Sequence, residues 1–204
     1  MYQKVKDFIS SCETCQERKD PITQLHPMKK RLHTEYAPFA YLSMDIKTMY
    51  PSRSGHNAIL VCVDEQTHFM VCYPLKKGDS SIEIAEILTQ ELFHTYGQPK
   101  EITTDMDPKF KNKLFEHVFQ SLKVKLNFVN PYNHNALKVE RHIRTLQEQL
   151  ICRLKQKADL WPNYLTGAAA AHNNTVSVSL GHSPFYLLYM RHPPSPDSFN
   201  LEPI

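Results

Sequence analysis

The sequence predicts an α/β fold built on a mixed sheet with helices on both faces. Three observations predict it. Three strand-like segments follow one another from Tyr41, helical and strand-like patterns then alternate twice, and the chain from residue 137 onward is helical in period. At 204 residues with 41% hydrophobic side chains, the chain suits one ordinary domain with short appendages. Five Gly, 10% aromatics and charges of both signs exclude a disordered, collagen-like or repeat protein.

Residues 1–38 hold a short helical pattern (Val5, Phe8, Ile9), then Cys12 and Cys15, then a Lys/Pro/His segment without period. They read as a remnant followed by a linker. From Tyr41, Leu42, Met44 and Ile46 alternate with Ser43, Asp45 and Lys47, the period of a half-buried strand with Asp45 on its polar face. Ala58 to Val63 and Phe69 to Tyr73 are nearly continuous apolar runs around an Asp64–Thr67 break, which predicts a central hairpin.

Ser80 or Ser81 is placed to cap a helix with Ile82, Ala85, Leu88, Leu92 and Tyr96 as its stripe, ended by Gly97 and Pro99. A strand over Glu101 to Thr104 follows. Asp107 before Pro108 reads as a cap, and Phe110, Leu114, Phe115, Val118, Phe119 and Leu122 as the buried face of the next helix. Lys125 to Val129 is a further strand. Residues 137–157 form the longest periodic segment, with Val139, Ile143, Leu146 and Leu150 inward and a basic remainder. Asp159 is expected to cap a helix over Trp161 to about Thr175, and Ser183-Pro184 to start a short last one before the Pro-rich end.

No apolar run approaches the ~18–20 residues of a bilayer span, and the opening residues lead into no signal-peptide core, so the expectation is a soluble, intracellular chain without a membrane partner. The five Cys are odd in number. Cys62, Cys72 and Cys152 lie within apolar segments and read as small core residues in a reducing compartment. A net charge of +3 is compatible with nucleic acid without arguing for it. His68, His94 and His117 read as surface or satisfied core histidines, and the Asn173-Asn174-Thr175 acceptor pattern as incidental.

Three acids carry the chemical interest: Asp45 in a strand, Asp105 just past one, and Glu140 early in the basic helix. Strand ends in α/β sheets are where ligands bind. Each acid alone could be a solvated surface group, and a Glu in a first helical turn is favoured by the macrodipole. Together they would have the oxygen ligands that hard divalent ions require, two of which can serve in-line displacement at phosphate.

The segments Tyr41-Leu-Ser-Met-Asp45, Ile102-Thr-Thr-Asp105 with Phe110, Pro131-Tyr132 running to Val139-Glu140-Arg141, and Trp161 through Ala171-His-Asn173 to Gly181-His-Ser-Pro-Phe185 occur in an order that resembles the integrases of gypsy-type LTR retrotransposons and of retroviruses. The resemblance covers roughly residues 1–194. It implies a ribonuclease H-like catalytic core of mixed five-stranded sheet and flanking helices over residues 39–194, with 195–204 as a Pro-rich tail. Asp45, Asp105 and Glu140 would be the metal-binding triad for two Mg²⁺ or Mn²⁺ ions. Lys138, Arg141 and Arg144 would contact DNA, whereas without the resemblance the basic helix reads as a solvated face. Element ends would be trimmed and then joined to target DNA, on a homo-oligomer in the nucleus.

Three departures from the family pattern stand out. Between Asp105 and Glu140 lie 34 residues, one short of the usual spacing, and the loop from Asn133 to Lys138 lacks the common Asn-Gly turn. Gln147 also replaces a position that is commonly basic. Cys12 and Cys15 resemble the closing pair of a His-His-Cys-Cys zinc module whose two histidines are missing upstream, while His26 and His33 fall downstream in the wrong order. Two thiolates do not close a tetrahedral Zn²⁺ site, so the expectation is an unmetallated half-site. The alternative function is an element-derived domain that binds nucleic acid or protein with its chemistry impaired.

Overall fold

The computed structural model describes residues 2–12, 37–129, 137–154 and 157–193. The Cys15 half of the proposed zinc pair, His26, His33, the loop before residue 137 and the tail lie outside the described residues. The elements are α1 (Tyr2–Ser11), β1 (Tyr41–Thr48), β2 (His56–Asp64), β3 (Met70–Lys76), α2 (Ser81–Ile87), β4 (Glu101–Thr104), α3 (Lys113–Ser121), β5 (Lys125–Phe128), α4 (Leu137–Leu154), α5 (Trp161–Asn174) and α6 (Pro184–Tyr189).

One five-stranded sheet has the order β3-β2-β1-β4-β5. β1 pairs antiparallel with β2 and β2 with β3, whereas β4 and β5 add parallel to β1. The mixed sheet expected from the order of patterns is therefore the one observed. Its centre explains the apolar runs: from Ala58 to Asp64 every residue of β2 is buried, because helices cover both faces. Leu42, Met44, Leu60, Cys62 and Ile102 face α2 and α3 in one core. Ile59, Val61, Val63 and Met70 face α4 and α5 in the other.

Local signals set most helix starts. Ser80 caps α2 in a capping box with Glu83, and Ser183 caps α6, accepting from the Tyr186 amide. After Ile87 the helix widens into a π-helical stretch, Leu88–Phe93, before the turn His94–Tyr96. The wider turn lets Leu88, Leu92 and Phe93 all reach the core, whereas Ile82, expected in the stripe, is 50% exposed.

Two expected caps do other work. Asn112, not Asp107, caps α3 by accepting from the Phe115 amide. Asp107 instead closes the preceding turn, its carboxylate accepting from the Lys109 amide, and the later start of the helix leaves Leu114 exposed. Asp159 caps no helix: its carboxylate takes the Arg53 guanidinium and its carbonyl the Arg53 amide. Cys152 is exposed rather than in the core, since Leu146 and Leu150 occupy the inward positions of α4. Asn173 is buried, with both ends of its side-chain amide bonded to the Met70 backbone. That use leaves no room for a glycan.

Candidate active site

The sheet register brings two of the three acids together. Ser43 of β1 stands opposite Thr103 of β4 in parallel register. Side chains two residues apart share a face, so two residues further on Asp45 comes beside Asp105, where β4 has just ended. Opposite Asp45 across β2 is Val61, which belongs to the core under α4. Val139 and Ile143 of α4 pack into that same core, and Glu140 lies between them in the first turn. Strand β1 is where the sheet changes from antiparallel to parallel pairing, the kind of place at which open sheets bind ligands.

Electrostatics register the proximity. Asp45 is half-buried, and its pKa is raised to about 6. Burial is the largest cause, followed by the charge of Asp105; the Ile46 amide, 2.7 Å from Oδ1, pulls the other way, and Glu140 adds a smaller upward push. Asp105 is exposed and accepts from the Asp107 amide at 3.1 Å, so it also shapes the turn after β4. Glu140 is exposed.

An all-carboxylate donor set suits a hard divalent cation, and the repulsion that raises Asp45 is what such a cation relieves. Among the described residues, however, no three His, Cys, Asp or Glu side chains are gathered closely enough to hold a metal ion as they lie. Asp105 acts on Asp45 more strongly than Glu140 does. The aspartates are fixed by sheet register, whereas Glu140 depends on how the start of α4 is seated.

Arg141 and Arg144 are exposed on α4, and Arg144 Nε lies 3.7 Å from Glu148. Gln147 is half-buried. The Lys138 side chain lies outside the described residues. Cys12 is half-buried. A groove of about 130 Å³ between α2 and α3, edged by Ile82 and Leu114, lies over the other face of the sheet and away from the acids.

Sequence reasoning missed the polar residues beneath α4. Ser43 donates to Glu65 at 2.7 Å, and His142 is buried against His68 and His172. The signal for His142 was present: positions 139, 142, 143, 146 and 150 make one helical stripe, and the second of them is a histidine.

Residues 35–134 match the integrase core domain family. The Tf2-3 and Tf2-4 transposon polyproteins of Schizosaccharomyces pombe are each 23% identical over 192 residues, 94% of this chain and 14% of the polyprotein. The chain thus spans about one seventh of those relatives' length. A simian T-cell lymphotropic virus intasome, solved with the PP2A regulatory subunit B56 gamma, superposes with a TM-score of 0.67 at 22% identity, over 100% of this chain and 69% of that one. The catalytic core domain of BIV integrase superposes with a TM-score of 0.60 at 19% identity, over 74% of this chain and 95% of its own. At these identities the structural likeness establishes the fold, a ribonuclease H-like α/β core. With the family match over residues 35–134 and the transposon relatives, the chain is similar to the catalytic cores of LTR-retrotransposon and retroviral integrases.

Proposed function

We propose that the chain is the DDE-type catalytic core of an element integrase, a polynucleotidyl transferase and nuclease acting on DNA. Asp45, Asp105 and Glu140 would hold Mg²⁺ or Mn²⁺, which when bound supplies activation of the attacking oxygen and stabilisation of the leaving one. The observation that carries the reading is Asp45, a half-buried carboxylate raised to about 6 by burial and by the other two acids. A site that repels its own charge is suited to a cation. The chain's own residues then act in two ways. Asp45 gives up its proton at about pH 6, and exposed Arg141 and Arg144, with Lys138, would grip phosphates beside the acids.

End trimming followed by joining to target DNA, assembly as a homo-oligomer on the DNA ends, and residence in the nucleus belong to the same proposal. The test is end-trimming and strand transfer on oligonucleotides with Mn²⁺. Asp45→Asn and Asp105→Asn should each abolish product while the protein stays folded. A second reading is a core that keeps its fold and DNA contacts without chemistry; it is favoured by the absence, among the described residues, of three acids at ligand distance. Folded protein that binds DNA and yields no metal-dependent product would establish that reading instead.

A further inference from the structure

Beneath the first turn of α4 lies a polar cluster that the acids do not account for. His142 is 9% exposed. Its ring meets those of His68 and His172 nearly edge-on, with centroids 5.1 Å apart in each case. These partners come from separate elements, the turn between β2 and β3 and the helix α5. Nε2 of His172 lies 3.2 Å from the His68 carbonyl. Burial lowers the His172 pKa, so the ring is neutral and Nε2–H donates to that carbonyl. The next residue, Asn173, ties α5 to Met70 through both its amide ends, at 2.8 and 2.9 Å. His68 itself sits at φ +60°, an uncommon backbone for a non-glycine residue that its surroundings must hold in place.

From the strand side, Ser43 and Glu65 join His68, Val63, Val139 and His142 around a cavity of about 10 Å³, room for about one water. The remaining inward anchors of α4, Val139, Ile143, Leu146 and Leu150, are aliphatic. Aliphatic contacts are non-directional and tolerate rotation, and one residue of helical rotation turns a side chain by about 100°. A ring held on two sides by residues of other elements does not tolerate it.

We propose that His142 is a positioning residue: clasped between His68 and His172, it fixes the rotation of the first turn of α4 and thereby the direction in which Glu140 presents its carboxylate to Asp45 and Asp105. The inference rests on the reading of the three acids given above. A double-mutant cycle tests whether His142 acts through Glu140. Mn²⁺ affinity of the full chain is measured by water-proton relaxation for wild type, Glu140→Gln, His142→Ala, His142→Phe and the Glu140→Gln/His142→Ala pair. Each of Glu140→Gln and His142→Ala should weaken binding about tenfold. The pair should lose no more than either alone, and His142→Phe, which keeps a ring in the clasp, should recover most of the loss. Full additivity in the pair, or wild-type affinity in His142→Ala, overturns the proposal.

Hydrogen exchange over residues 139–143 and 65–70 gives a readout that needs no metal. His142→Ala should speed exchange in both segments and leave β2 protected, and unchanged protection overturns the clasp. If wild type takes up no Mn²⁺, the catalytic reading falls and the exchange result alone decides the inference. Should His142→Ala fail to fold, His172→Ala removes the opposite side of the clasp and is read by the same two measurements.

Discussion

Asp45 pays for its position with stability. Burial and the neighbouring acids raise its pKa to about 6 in the folded chain, well above the range it has when unfolded. Between about pH 4 and 6 the folded state therefore holds a proton that the unfolded chain has released. Stability falls as pH rises through that window and stays at its lower level above it. Asp45→Asn removes the charge, so the metal-free variant should melt higher than wild type above pH 6, and the difference should vanish below about pH 4. After discounting for the exposed part of the side chain, the gain is on the order of 1 kcal/mol, or about 2–4 °C for a chain of this size. Calorimetric scans from pH 4 to 7.5 check it. A divalent cation should raise the melting temperature of wild type and leave the variant where it was.

Between elements, a doubly bonded directional link runs from α5 to the edge strand β3. Asn173 both accepts from the Met70 amide and donates to its carbonyl inside the protein, taking the place of a neighbouring strand. Asn173→Ala leaves both groups buried without partners, which should cost about 2–4 kcal/mol and be read as a lower urea midpoint at unchanged slope. Elements were legible where a periodic stripe meets one flat surface. The unbroken run in β2 and the stripe of α4 appear in the structure as their periods predict, whereas β1, read as half-buried, also buries Ser43 on its polar face. Signals that distant residues could override were not legible. Asp159 looks like a cap, but Arg53 takes its carboxylate. Asp107 looks like one too, but it closes a turn before Asn112 caps the helix. The π-helical stretch that follows α2 brings Phe93 to the buried face beside Leu88 and Leu92, while Ile82, drawn into the same stripe, stays exposed. At the site the same division holds: the three acids could be named from type and order, whereas what brings them near one another is strand register and a histidine clasp whose members lie far apart in the chain.

For the molecule as a whole, charge limits what DNA binding can look like. A net +3 over 204 residues gives no strong global field, so the proposed affinity for duplex DNA must come from a local basic face. The face at hand is the exposed side of α4, with Arg141 and Arg144 beside Glu140. Each phosphate neutralised releases counterion and adds about 0.9 to the slope of log affinity against log salt. Arg141→Gln should therefore weaken binding to all sequences alike and reduce that slope by about one. Arg144 stands 3.7 Å from Glu148 and must exchange that carboxylate for a phosphate, so Arg144→Gln should lower the slope by less. Fluorescence anisotropy on a short duplex between 50 and 200 mM salt, with the slope as readout, measures both. An unchanged slope in Arg141→Gln would mean that this face of α4 does not touch the backbone, and the acids would then have to meet their phosphodiester from another direction.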